Sequence, residues 1–281
     1  MKMTRIAVLM TCHDRRDKTV ACLRHLFSQD GVDDVALSVF LVDDGCTDGT
    51  SIAVRSEFPS VMIIPGNGEL FWNRGMRLAW NVAAEHEHDY YLWLNDDTFL
   101  FDNALAIIMQ ADREISDNRH IVIGATCSVD DRAQTTYSGR VTRGRVIPPN
   151  GCVQECEEFN GNCVLIPAVV YREMGNLDPF FRHSFGDIEY GLRARRAGVS
   201  CWVAPQHIGC CEKNTKPSRW ADPDVPLRQR LAYFYSPLGL PPSEMFYLNR
   251  KFNGLTVAVR VFIVNHLRCL CPQLVPQKRV R

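Results

Sequence analysis

Apolar runs and runs of helical period alternate from the start of the chain. Residues 5–11, RIAVLMT, are a short β-branched apolar stretch, and in the following RRDKTVACLRHLFSQ (15–29) Val20, Leu23, Leu26 and Phe27 recur at helical spacing. The order repeats. LSVFLVDDG, VMIIPG and YYLWLNDD read as strands, and GTSIAVRSEF, WNRGMRLAWNVAAEH and NALAIIMQADREI as the helices that follow them. Strand then helix at this pitch predicts an α/β fold with a Rossmann-like, mostly parallel sheet flanked by helices. After HIVIGATC (120–127) the alternation loosens into TTYSGRVTRGRVIPPNG, where β-formers spaced by glycines predict hairpins. Strand, helix and strand then return as NGNCVLIP, GDIEYGLRARRAG and VSCWVAP. A Pro-, Asp- and Lys-rich zone, EKNTKPSRWADPDVPLRQ, divides this body from the C-terminal segment. The expected division is therefore residues 1–212 as the catalytic domain and 213–281 as a helical, basic segment.

Composition narrows the class. With 281 residues, 46% of them apolar and 23% charged, the chain can bury one large core. The formal net charge is zero, so no overall field recommends a nucleic-acid partner. Twelve cysteines lack the paired spacing of a disulfide framework and are read as mostly reduced. Cys152, Cys156, Cys163, Cys210 and Cys211 contain no C-x-x-C pair, and a structural zinc is not expected there. The N-terminal apolar run is cut short by Asp14, Arg15 and Arg16, and no stretch of 18 uncharged apolar residues occurs. A cytoplasmic location is expected, with peripheral contact to the inner membrane face left open.

The chemistry gathers where strands end. In doubly wound sheets ligands bind beyond the carboxyl ends of the strands, and there the chain places Asp43–Asp44 and Asp96–Asp97. Asp48 reads better as a helix-start acid. Adjacent carboxylates repel and need a compensating cation, which a hard divalent ion such as Mg²⁺ or Mn²⁺ would supply while also holding phosphates. Neither G-x-G-x-x-G nor G-x-x-x-x-G-K-[ST] is present to cradle phosphates by backbone alone.

The blocks IAVLMTCHDRRDKTVACLRHLFSQ, FLVDDGCTDGT, YYLWLNDDTFL and GNCVLIP followed by FGDIEYGLRARRAG resemble, in order, those of family-2 inverting glycosyltransferases of GT-A fold, notably bacterial polysaccharide and rhamnosyl transfer enzymes. They span roughly residues 4–212, about three-quarters of the chain. The resemblance implies a nucleobase contact at Asp44 with Asp43 beside it, ribose and metal contacts at Asp96 and Asp97, and further donor contacts at Thr11, Asn73 and Arg74. It implies Asp97 as metal ligand, joined by His207 where some relatives carry a ligating histidine. Asp187 becomes the catalytic base, with Glu189 either supporting it or simply beginning its helix. The pattern departs at Asn95 and Gly186, where the family has acids.

The implied activity is inverting, metal-dependent transfer of a sugar from a UDP- or dTDP-sugar to a saccharide or lipid-linked acceptor in surface polysaccharide synthesis. Two rivals stand beside it. One is a catalytically silent sugar-nucleotide-binding module, which the two departures keep open. The other is a sugar nucleotidyltransferase, whose glycine- and arginine-rich loop after the first strand is missing from VLMTCHDRRDK. The C-terminal segment mixes basic with apolar residues and suits either packing on the body or a membrane surface.

Overall fold

Strands buried on both faces need apolar residues at every position, and the first strand shows this arrangement. In β1 (Thr4–Cys12), Ile6, Val8 and Met10 face one core, whereas Ala7 and Leu9 face the other. The first core is closed by α1 (Arg16–Phe27) and α4 (Ala104–Glu114), through Leu23, Leu26 and Ile108. The second is closed by α3 (Phe71–Ala83) and α6 (Gly186–Arg196), through Met76, Trp80, Tyr190 and Ala194. The computed structural model describes residues 3–117, 119–141, 144–213 and 218–273; part of the expected linker (214–217) and the end of the basic segment (274–281) lie outside the described residues.

β1 is the centre of a parallel set. It pairs with β2 (Val35–Asp43) and β4 (Tyr90–Leu94), and β2 pairs with β3 (Met62–Pro65). The helix α2 (Thr50–Glu57) links β2 to β3. Beyond β4 come β12 (Cys163–Pro167), β6 (His120–Cys127), β13 (Ser200–Cys210) and the edge strand β10 (Gln154–Cys156). β5 (Phe99–Leu100) and β7 (Thr135–Tyr137) pair on β13 and β6. A smaller sheet joins β8 (Gly139–Val141), β9 (Arg145–Val146) and β11 (Glu158–Phe159), so the expected hairpin region is β-structured. The turn residues 142–143 lie outside the described residues.

The sheet departs from a wholly parallel one at β12, which runs antiparallel to both β4 and β6. This reversal has a consequence for function. The amino end of β12 lies beside the carboxyl end of β4, with Cys163 opposite Leu94, so residues 160–162 enter the crevice. The sequence pattern also stops half a strand short: β13 continues past Pro205, with register shifts between Val203 and Gly209 where proline lacks a donor. The short helix α5 (Ala168–Met174) follows Pro167, without the length that would reveal its period. Three helices end the described chain: α7 (Leu227–Tyr235), α8 (Pro242–Asn253) and α9 (Leu255–Leu270).

Candidate active site

A cleft of about 740 Å³ opens where the carboxyl ends of β1, β2 and β4 meet the start of α6. Among its lining residues are Thr11, Asp44, Asp96, Asp97 and Asp187, five residues singled out from the sequence. Asp14, Phe71 and Phe185, the non-glycine residues with positive φ among those described, have φ of 48°, 55° and 72°. Phe71 and Phe185 line the cleft, and Asp14 lies between the lining residues His13 and Arg15. Backbone held in this region costs of order 1 kcal/mol or more per residue and collects at functional sites.

The first acidic pair is bound by its own loop. Asp44, 3% exposed, accepts the N–H of Gly68 at 2.8 Å and those of Leu70 and Phe71 at 2.9 Å each, tying the end of β2 to the entry of α3. The approach is so close that a Cβ on Gly66 would lie 2.7 Å from Asp44 Oδ1. Asp43 turns away from the cleft lining, accepting the Cys46 N–H at 2.7 Å and the Ser51 hydroxyl. Asp48 accepts the Thr50 N–H at the start of α2, as a helix-start acid does.

The second pair is held by a side chain. The Arg15 guanidinium forks across both acids, with Nη1 3.1 Å from Asp96 Oδ1 and Nη2 against Asp97 Oδ2. Thr19 adds a hydroxyl 3.4 Å from Asp96 Oδ2, and the Cys211 thiol lies 3.7 Å from Asp97 Oδ1. Asp96 is 4% exposed. Burial pushes its carboxyl up to about 7; Arg15 opposes that rise and Asp97 adds to it. Asn95, where the family pattern has an acid, serves another purpose: its Oδ1 accepts the indole N–H of Trp72 at 2.7 Å. Trp72 then packs so tightly against Gly161 that a Cβ there would lie 2.6 Å from its ring.

Asp187 stands in the first turn of α6, partly open to the cleft. Its Oδ2 accepts the Gly161 N–H at 3.0 Å and its Oδ1 that of Ile188 at 2.8 Å, and burial raises its carboxyl above the ordinary value. Gly186 has a steric reason for lacking an acid, because any Cβ there would collide with the Asn73 side chain. Glu189 is fully buried on another side of the helix, 2.9 Å from Arg193 Nε and 2.8 Å from Lys251 Nζ. It joins α6 to α8.

Four residues named from the sequence lie outside the cleft lining. Asp43 is one. Asn73 is fully buried and donates to the carbonyls of Asp178 and Phe181 at 3.0 and 2.8 Å. Arg74 lines a separate surface hollow with Asp178, Arg182 and Tyr247. His207 lies at the bulge of β13, with Nε2 2.9 Å from Thr135 Oγ1. Arg15, Trp72, His183 and Cys211 line the cleft instead. Arg15 was discoverable: the rule that directs attention to the ends of β2 and β4 applies equally to residues just after β1.

The donor set fits a hard divalent cation in part. Asp97 faces the cleft and offers carboxylate oxygens, and Asp96 stands beside it, although burial, which raises the Asp96 carboxyl, favours its neutral form over an anionic ligand. Among the described residues Asp14, Cys46 and Asp48 also bring ligand atoms within 4.8 Å of one another. Their carboxylates are engaged by the N–H groups of Thr47, Thr50 and Arg16, which makes them turn formers.

Sheet order, flanking helices and a crevice with acids at the strand ends define the GT-A fold of glycosyltransferases. Solved structures with this fold include the mannosyltransferase PcManGT from Pyrobaculum calidifontis in complex with GDP-Man and Mn²⁺. It is 14% identical with a TM-score of 0.55, over 98% of this chain and 87% of that one. Residues 1–349 of S. aureus TarS are 12% identical with a TM-score of 0.54, over 94% of this chain and 72% of that one. No protein-family model and no curated protein matches the sequence.

Proposed function

We propose that the protein is an inverting glycosyltransferase that moves a sugar from a nucleoside diphosphate sugar, UDP- or dTDP-linked, to a hydroxyl of a saccharide or lipid-linked saccharide. One observation carries the reading: a single cleft holds Asp187, a carboxylate made more basic by burial, together with the Asp96–Asp97 pair and its arginine. The fold shared with a mannosyltransferase complex supports it.

In this reading Thr11 and the turn around Asp44 receive the nucleoside, and Asp96 receives the ribose. Asp97 would hold Mn²⁺ or Mg²⁺, which when bound supplies positive charge to the departing diphosphate. Arg15 lies beside the same position and adds a second positive charge. The acceptor hydroxyl attacks the anomeric carbon as Asp187 takes its proton, a C–O bond forms on one face, and the bond to the diphosphate oxygen breaks on the other. One such base suffices for inversion. The two N–H groups that Asp187 accepts hold its carboxylate, and each oxygen keeps a further lone pair for the proton.

The experiment is calorimetry with UDP-, dTDP- and GDP-sugars, with and without Mn²⁺, followed by turnover of the binder in wild type and Asp187→Asn. GDP-sugars belong in the panel because the PcManGT complex contains GDP-Man. Turnover lost in the variant with donor affinity kept is the expected result. Binding with no turnover against any saccharide acceptor would replace the transferase reading by that of a silent binding module.

A further inference from the structure

The C-terminal helix α9 is anchored along one face only. Ala258, Asn265 and Cys269 are buried against the preceding helices; Asn265 Nδ2 lies 2.9 Å from Met245 Sδ, and Arg230 donates to the carbonyl of Leu270 at 3.2 Å. Tyr235 Oη meets His266 Nε2 at 2.9 Å. The helix is therefore fixed in place, not loosely appended. Its other face is apolar and open: Leu255 is 60% exposed, Ile263 51% and Leu267 48%, with Val259, Phe262 and Leu270 also exposed. At about 100° per residue these six fall within an arc of roughly 140°. They form a stripe interrupted by Thr256 and His266, with Arg260 at its border and exposed Val257 outside it.

Charge says what kind of surface covers the stripe. From Met245 to the end of the chain there are seven basic residues, Arg250, Lys251, Arg260, Arg268, Lys278, Arg279 and Arg281, and no Asp or Glu. The rest of the chain carries 25 basic against 32 acidic residues, so the whole is neutral only because its two parts are opposed. Lys251 is taken by Asp178 and Glu189, whereas Arg250 and Arg260 are exposed. An apolar stripe with an exposed arginine at its border, in a segment that is basic and free of acids, is the composition of a helix that lies in an anionic lipid interface. At 16 residues α9 is too short to cross a bilayer, and no described helix is long and apolar enough to do so. A second copy is the poorer occupant, since it would set this cationic segment against its twin.

We infer that α9 docks flat on an anionic membrane surface. This goes beyond the transferase reading and does not depend on it. It also gives the cleft a direction: exposed Tyr235 ends α7 against His266 of the docking helix, and exposed Leu238, three residues on, lines the cleft. A hydroxyl acceptor on a lipid carrier would reach the cleft from that side.

The test is co-sedimentation of the full chain with phosphatidylcholine vesicles, with and without phosphatidylglycerol. Binding is expected with the anionic vesicles, at least about tenfold above neutral ones and weakened by salt. Ile263→Glu with Leu267→Glu should abolish it, and Arg260→Glu should weaken it several-fold. All three positions are exposed or at the surface, and an unchanged circular dichroism spectrum confirms the fold of each variant. Equal binding by the doubly substituted chain, or none by wild type, overturns the inference. So does sedimentation equilibrium showing a dimer that the double substitution dissociates, which would make the stripe a contact between copies. Nucleotide binding in solution is expected to be the same in these variants, so failure here is separable from failure of the transferase reading.

Discussion

Two strands of this protein end in paired aspartates, and the pairs are satisfied in opposite ways. At the end of β2, Asp44 is held by three backbone N–H groups from residues 68–71. At the end of β4, Asp96 and Asp97 are held by the fork of Arg15. Backbone donors are fixed by the fold, so the first pair builds the cleft wall. A guanidinium on a flexible side chain can exchange partners as charge arrives, so the second pair remains available to a ligand. Identical dipeptides are thus held in different ways, one by fixed backbone donors and one by a side chain whose counter-charge can move, which is the basis for proposing the first as scaffold and the second as site. Asp187 combines both states: two N–H groups aim it, and the cleft still reaches it.

The largest effect should come at that intermediate case. Asp187→Asn is expected to lower turnover by about 10²–10⁴-fold with donor affinity within about twofold, measured by single-turnover kinetics and calorimetry. Asp44→Asn comes next. Its amide leaves at least one buried N–H facing a donor, and chemical denaturation should show a loss of about 2–3 kcal/mol. Asp97→Asn separates the pairs most clearly: its stability cost should stay under about 1 kcal/mol, while donor affinity in the presence of Mn²⁺ falls about tenfold or more. Equal stability costs in the two variants would end the distinction between scaffold and site.

Smaller effects sharpen the role of the movable cation. Arg15→Gln should tighten binding of Mn²⁺ alone by several-fold, because Arg15 competes for the same carboxylates, and should weaken the metal-free donor complex. Unchanged Mn²⁺ affinity would mean that the acids do not form the metal site. The pH profile should show the mildest change of the set. Burial favours the protonated form of Asp187, so in the proposed mechanism the base is lost as pH falls through a value raised above that of a free aspartate, and turnover declines with unit slope below it. The same limb should be absent from the residual rate of Asp187→Asn.

Much of the frame was legible because it is written locally. The alternation in β1 and the helical spacing of Leu23 and Leu26 each need only a few neighbouring residues to be read. The strand-end rule led to Asp44, Asp96 and Asp97 for the same reason. Pro205 hid the second half of β13, since a bulge that accommodates proline leaves no periodic trace. The short helix α5 hid for want of length.

What remained illegible concerns partners distant in sequence. The substituted family positions show it best: Asn95 is an acceptor for Trp72, and Gly186 makes room for Asn73. Neither relation has any signal within its own stretch of chain. The antiparallel course of β12, which brings Gly161 to Asp187, is likewise a property of the assembled sheet.

The sequence by itself determined the strands, the helices that cover them and the acids at the strand ends, because hydrophobic period and strand termination are local properties. Only the tertiary structure decided which acid is locked by backbone and which by Arg15, and which histidine or cysteine stands at the cleft. Hydrogen bonds and charge pairs act over a few ångströms of space, and residues 82 positions apart, Arg15 and Asp97, become neighbours only when the sheet closes.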